Sequence, residues 1–322
     1  MWFRFVLASL VIFFAGRYLS DLADETADIT GLSKGFIGAL ILGIITSLPE
    51  LIGTISAVAY KSNPDLGVGN IFGSNLFNIA ILSLAIVLFG SRVAGNGWKW
   101  RSNFSAYLSI SLSAFLVMLI GMCSFSQKSC ALWGDIFILA FYLLGMWIYS
   151  RQGFEEQDLQ AVHERKPGRS LKVNIILICV SGVLVVGAGV LLADACDDIA
   201  RNTYLTSTFV GSLFMAAATS LPELVVTMRL LGLGNISMAT GNIFGSNLMN
   251  LTIIAFADLM YAKSVYAAVT PAQTVTLGAG ILMSGIFLAG TLVRAKRKAP
   301  FRMDSIGVLV LYLLIYVWLY NH

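Results

Sequence analysis

Glu50 and Glu223 each stand inside a long apolar stretch of the chain, where an unpaired carboxylate costs several kcal/mol and has to face a partner or a water-filled cavity. Each follows a proline, Pro49 or Pro222, which has no N–H to donate to the carbonyl four residues back and disturbs that turn sterically. Backbone oxygens near Gly43 to Ile45 and Ala216 to Ala218 are thereby released, and inside a membrane such oxygens need another partner. On a helix, positions four apart share a face, which sets Thr46 with Glu50 and Thr219 with Glu223, while Ser47 and Ser220 lie three apart from them. The same spacing pairs Ser74 with Asn78 and Ser246 with Asn250. Carboxylate, hydroxyl, amide and backbone carbonyl, the last from Gly43 and Ala216, are all hard oxygen ligands. The set suits calcium or sodium and contains no imidazole or thiolate for a softer metal. Taken singly, the Ser and Asn residues also read as interhelical glue; four of them placed symmetrically about two carboxylates read as a cation site.

That symmetry comes from an internal repeat. Shifting the chain by 173 positions aligns Gly16, Asp21, Asp24, Ala27, Thr30, Phe36, Gly38 and Leu40 with Gly189, Asp194, Asp197, Ala200, Thr203, Phe209, Gly211 and Leu213, and the match runs on through TSLPEL at 46–51 and 219–224. After one deletion the shift becomes 172, and GNIFGSNL at 69–76 recurs at 241–248 with Asn78 opposite Asn250. The glycines of this second block, Gly69, Gly73, Gly241 and Gly245, allow helices to approach closely and so bring the ligands within reach.

The elements that carry these motifs are membrane helices. Hydrophobic residues make up 57% of the 322, charged residues 12%, and the mean hydropathy is +0.82, which places the chain in a bilayer rather than among soluble domains. A window of about 19 residues finds ten apolar spans, at 3–20, 36–60, 68–90, 103–122, 131–150, 173–193, 208–232, 240–260, 272–293 and 304–321. The expected fold is an all-α integral membrane protein of ten transmembrane helices in two inverted five-helix repeats, 1–150 and 173–322, joined by the polar linker 151–172. An odd number of crossings per repeat inserts the second copy from the opposite side, the arrangement that exposes one central site alternately to each face. Of the 21 Lys and Arg residues, only Arg4, Lys61, Lys128, Arg201 and Lys263 fall on the side of the N-terminus. The positive-inside rule then makes the linker cytoplasmic and leaves both termini outside. The apolar run Phe5 to Phe14 resembles a signal peptide in length and charge, but the repeat partners of Gly16 and Asp21 assign it to the first span.

The net charge of +4 lies in short turns rather than on one face, so nucleic acid is not a partner. Cys123, Cys130, Cys179 and Cys196 show no CxxC pairing, and with only His163 and His322 beside them they indicate neither zinc nor haem. Cys123 and Cys130 flank one short loop, where two thiols or one disulfide are compatible with the spacing. Asp21, Asp24, Glu25 and Asp28, with Asp194, Asp197 and Asp198, are expected solvated at loop mouths; Asp135 and Asp258 are expected at the interface. The basic run Arg294 to Lys298 is expected to anchor the internal surface on anionic lipid.

TSLPE followed by GNIFGSN-L-x-N, twice and in inverted halves, resembles the alpha repeats of the sodium/calcium exchangers of the cation/calcium antiporter superfamily, in their bacterial and archaeal form. The likeness covers nearly the whole chain. It implies that Glu50 and Glu223 coordinate both ions and that Thr46, Ser47, Thr219, Ser220, Ser74 and Ser246 flank them, with Asn78 and Asn250 at the centre of the site. It further implies several sodium ions moving inward for each calcium expelled, with no cofactor, no obligatory protein partner, and a multi-pass location in a prokaryotic inner membrane. Two departures stand out: Ile45 and Ala218 occupy a position usually held by Gly, and Asn250 replaces an Asp found in some relatives. With Asn at both central places the site keeps two carboxylates, enough to neutralise one calcium, whereas three sodium ions leave an excess charge. Calcium/proton exchange is the alternative at the same glutamates. An intramembrane acid/base enzyme lacks an activated nucleophile or metal-binding histidine, and a passive channel would show no counterflow.

Overall fold

The computed structural model describes residues 2–60, 62–93, 103–123, 128–151, 169–200, 216–297 and 303–321. These are α1 (Trp2–Thr30), α2 (Lys34–Tyr60), α3 (Pro64–Val93), α4 (Phe104–Cys123), α5 (Lys128–Ser150), α6 (Leu171–Ala200), α7 in two pieces (Ala216–Thr219 and Leu221–Gly232), α8 (Ile236–Met260), α9 (Pro271–Arg297) and α10 (Met303–Asn321). Among the described residues nine helices are long and apolar enough to cross a membrane. The seventh expected span is described only from Ala216, and most of the linker, 152–168, lies outside the described residues. The fold is all-helical, as the hydropathy pattern requires.

Local signals start and stop these helices. Ser33 accepts from Phe36 N–H at 3.2 Å and caps α2, and Asn63 accepts from Leu66 N–H at 3.1 Å ahead of Pro64, both standard N-terminal devices. Thr270 and Gln273 bond reciprocally around Pro271, a capping box for α9. Gly31 (φ 74°) and Gly234 (φ 81°) follow α1 and α7 in the left-handed conformation that glycine takes without a Cβ penalty.

α1 is longer than the apolar window suggested. Its 29 residues span about 43 Å at 1.5 Å each, past a hydrocarbon core of about 30 Å, because the helix stops at Gly31 and not at the first acidic residue. Asp21, Asp24, Glu25 and Asp28 therefore lie on a helix, and each is paired with a basic side chain, Asp24 and Asp28 with theirs buried and Asp21 and Glu25 still in reach of solvent. Asp24 is 6% exposed and takes Lys34 Nζ at 2.7 Å and Asn235 Nδ2 at 2.9 Å; Asp28 stands 3.8 Å from Lys34. Arg229 grips Asp21 with two bonds of 2.9 and 3.1 Å, and Arg169 bonds Glu25 at 3.0 Å. Of their repeat counterparts Asp194 is exposed, and the side chains of Asp197 and Asp198 lie outside the described residues.

Asp135 and Asp258 also differ from expectation: both are buried, at 1% and 2% exposure. The segment after α8 folds back, so that Tyr266, in the turn Tyr266–Ala268, donates its hydroxyl to Asp135. Asp258 accepts from Val265 N–H at 2.5 Å and Ser264 Oγ at 3.1 Å. Cys123 is buried, and the side chain of Cys130, its neighbour across the loop, lies outside the described residues.

The two repeats interlock. α8, from the second half, packs on α2, α4 and α5 of the first, while α3 packs on α7, α9 and α10 of the second, and α3 and α8 meet each other at the centre. The apolar windows of these two helices are 78% buried, against 22% for α10. α1 and α6 pack extensively on one another. They flank the core, and their windows are each 39% buried.

Candidate functional site

α2 is not a uniform helix. A π-helical stretch at Gly38–Leu42 precedes Gly43–Thr46, the chain breaks at Ser47 (φ −84°, ψ 0°), and Leu48–Ile55 starts anew with Pro49 in its first turn. α7 breaks identically at Ser220 (φ −86°, ψ 9°) ahead of Pro222. Proline suits the start of a helix because its missing N–H would be unpaired there anyway. Glu50 and Glu223 consequently lie in the first turn of a new piece, where the positive end of the helix dipole favours an anion.

All ten side chains singled out from the sequence are completely buried: Glu50, Glu223, Thr46, Ser47, Thr219, Ser220, Ser74, Ser246, Asn78 and Asn250. Ser220 Oγ donates to Glu50 Oε1 at 2.9 Å, and Ser74 Oγ lies 3.4 Å from the same oxygen. Glu50 Oε2 and both oxygens of Glu223 have no donor. Thr46 and Ser246 stand beside Glu223, with their hydroxyls 3.2 Å apart. The expected pairing of Thr46 with Glu50 along one helix face is not what forms. The break at Ser47 interrupts that face, and each glutamate lies beside a hydroxyl of the opposite repeat, Ser220 or Thr46, together with one of its own, Ser74 or Ser246.

The amides are held by a two-fold arrangement. Asn78 Nδ2 donates to Asn247 Oδ1 at 3.0 Å and Asn250 Nδ2 to Asn75 Oδ1 at 2.9 Å, while Asn75 and Asn247 each donate to the other's backbone carbonyl at 3.3 and 3.2 Å. With their N–H groups so engaged, the carbonyl oxygens of Asn78 and Asn250 are buried without a donor. A second matched pair braces the broken helices: Asn70 donates to Thr54 at 3.0 Å and Asn242 to Thr227 at 3.1 Å. Thr219 Oγ1 reaches Asn70 Oδ1 at 3.3 Å. The main-chain oxygens are less open than the proline argument suggested. Gly43 O accepts from Ser47 N–H at 3.3 Å and Ser246 Oγ at 3.4 Å; Ala216 O accepts from Ser220 N–H at 2.9 Å and Thr219 Oγ1 at 3.3 Å.

Asn75, Asn247, Asn70, Asn242, Thr54 and Thr227 were not among the sequence candidates. Each is one of a repeat-related pair, so the self-alignment carried the signal. Close approach of α2 to α8 depends on small residues: a Cβ on Gly43 would sit 2.9 Å from the backbone of Gly245 and Ser246, and one on Gly245 would collide with the backbone of Ala39. Gly69 and Gly73 are buried on α3. Ile45, standing where glycine is usual, is accommodated by Gly182 of α6, whose Cβ would lie 3.2 Å from Ile45 Cγ2.

Buried acceptors without donors cost about 1–3 kcal/mol each, and more when charged. Here they cluster around two glutamates on helices drawn from both repeats, a chemistry that only a cation or water satisfies. Nine membrane-length helices among the described residues and two inverted repeats with a central oxygen-lined cluster define a multi-pass membrane protein of the transporter type.

Comparison with known proteins gives the family. A sequence model described as sodium/calcium exchanger protein matches residues 1–150 and 173–321, and the chain belongs to that family. It is 24% identical to sodium/calcium exchanger MaX1 of Methanosarcina acetivorans over 82% of this chain and 84% of that one. It is 26% identical to inner membrane protein YrbG of Escherichia coli over 77% and 76%. Among solved structures, the sodium-calcium exchanger NCX_Mj superposes with a TM-score of 0.74 at 22% identity, covering 97% of this chain and 96% of that one; the two share a fold.

Proposed function

We propose that this protein exchanges sodium for calcium across the membrane by alternating access, with Glu50 and Glu223 as ligands shared by the two ions. The observation that carries the reading is the group of donor-less buried oxygens, Glu50 Oε2, both Glu223 oxygens, Asn78 Oδ1 and Asn250 Oδ1, contributed by both repeats. Calcium takes six to eight oxygens, and the hydroxyls of Ser74, Ser220, Thr46 and Ser246, with Ser47 and Thr219 beside them, extend the set. Gly43 and Ala216 can still contribute, since a carbonyl oxygen has two lone pairs.

Charge supplies the coupling. Two carboxylates balance one calcium, and three sodium ions exceed them by one charge, so loaded states can cross a low-dielectric barrier that the bare dianion cannot. Residues 1–150 and 173–322 act as the two repeats, the 151–172 segment lies in the cytoplasm and both termini lie outside. The expected transport is electrogenic, with sodium moving inward as calcium leaves. No cofactor takes part.

The test is radiocalcium flux in proteoliposomes at clamped pH. An imposed sodium gradient should drive calcium uptake at full rate with no pH difference across the bilayer. Uptake that follows a proton gradient and ignores sodium would replace this reading with calcium/proton exchange.

A further inference from the structure

The protein surface holds a groove on the outer side of the helix that carries Glu223. This groove of about 750 Å³ runs between α1 and α7, within the size range of ligand pockets. Phe5, Leu10 and Phe13 of α1 form one wall and Leu221, Val225 and Met228 of α7 the other. Arg17 and Arg229 close one end.

Its dimensions match half a bilayer. From Phe5 to Arg17 is twelve residues of helix, about 18 Å, against a leaflet of about 15 Å in a hydrocarbon core of about 30 Å. The apolar end adjoins Ala8, Ile12 and Ala218, near the depth of the Glu223 turn. The basic end adjoins Gly232, where α7 ends. A groove of this depth facing hydrocarbon suits a lipid tail, the apolar occupant that a bilayer supplies.

The charge at its mouth selects the headgroup. Arg229 is bound by Asp21, which cancels one positive charge, whereas Arg17 is exposed and pairs with no carboxylate among the described residues. Two guanidiniums and one carboxylate leave a net charge of one, the complement of a single phosphodiester, and a guanidinium is the side chain best shaped for phosphate.

We propose that the groove binds one anionic phospholipid of the cytoplasmic leaflet, an acyl chain lying between α1 and α7 and the phosphate held by Arg17 and Arg229. The lipid then lines the outer side of the helix that begins at the Glu223 turn. It sits between that helix and α1, one of the two flanking helices, in a groove that the described side chains leave open.

Native mass spectrometry of the full chain in mixed micelles, with dioleoyl phosphatidylglycerol competing against dioleoyl phosphatidylcholine, tests this without any transport assay. One phosphatidylglycerol should be retained in preference to phosphatidylcholine. Arg17→Gln should weaken its retention about fivefold, the effect of one interfacial cation near 1 kcal/mol, and Arg17→Lys should restore most of it. Ser9→Phe, or Leu10→Trp if the first variant does not fold, fills the groove while keeping both arginines and should remove the lipid. Equal retention of the two lipids, or phosphatidylglycerol held as tightly by Arg17→Gln as by the wild type, overturns the headgroup assignment. Full retention by a folded groove-filling variant overturns the groove.

Discussion

The Glu50 and Glu223 halves of the site are built from the same residues in the same order, yet they are not in the same state. Ser220 crosses from the second repeat to bond Glu50 at 2.9 Å. Its counterpart Ser47 turns instead toward the Ser246 carbonyl at 3.5 Å, and Glu223 is left with no donor on either oxygen. The amides behind them, by contrast, agree across the pseudo-two-fold axis to within 0.1 Å. The amide part of the site is thus symmetric and the hydroxyl part is not. An alternating-access carrier needs this combination: fixed ligands on the central helices α3 and α8, and ligands on broken helices that exchange roles when the two repeats exchange conformations.

The largest expected effect is loss of charge. Glu50→Gln and Glu223→Gln keep volume but remove the carboxylate, and each should reduce sodium-dependent radiocalcium uptake to the level of empty vesicles while the purified protein still runs as a folded species on gel filtration. Next come the amides. Asn247→Ala frees Asn78, and Asn75→Ala frees Asn250, so each should weaken calcium affinity about 10–100-fold, as loss of a residue that orients a ligand does. The half-saturation concentrations of the two variants should agree within a factor of about three; a wider split would show that the amide framework is not symmetric in function.

Serine substitution sharpens the contrast between the halves. Ser220→Ala removes a bond to a charged group, worth about 1.5–3 kcal/mol, and should raise the calcium half-saturation concentration by about tenfold or more. Ser47→Ala removes only a long bond to a carbonyl and should change it by less than about fivefold. Equal effects would mean that the hydroxyl asymmetry has no bearing on binding. The last contrast concerns packing and is read in stability rather than transport. Gly43→Ala pushes α2 from α8 and should lower the thermal midpoint, at a cost of about 1–3 kcal/mol. Gly187→Ala on α6 meets no atom within 4 Å and should leave the midpoint unchanged or raise it.

Much of this was legible in the residues. Apolar runs separated by short polar turns define the helices because a bilayer tolerates few other structures, and the ends found for α2, α4, α5 and α10 lie within a few residues of the hydropathy windows. The glutamates were legible as well, since a carboxylate inside such a run has no bland explanation. What escaped were residues whose meaning depends on a distant partner. Asp24 reads as a loop acid until Lys34 and Asn235 are beside it, and Asp135 reads as interfacial until Tyr266 folds back over it. Asn75 and Asn247 lay inside a recognised motif, but nothing local distinguishes an amide whose oxygen is left without a donor from one that holds it in place.

Composition and the internal repeat determined that this chain is a membrane protein of two inverted halves with a pair of buried carboxylates, because hydrophobicity and periodicity are properties of the chain read along its own length. The tertiary structure alone decided which hydroxyl serves which glutamate and that α3 and α8 each sit among helices of the other repeat. It also decided that Asn78 and Asn250 present oxygen rather than nitrogen to the site. These are contacts between residues about 170 positions apart, and they arise only once helix packing has fixed which faces meet.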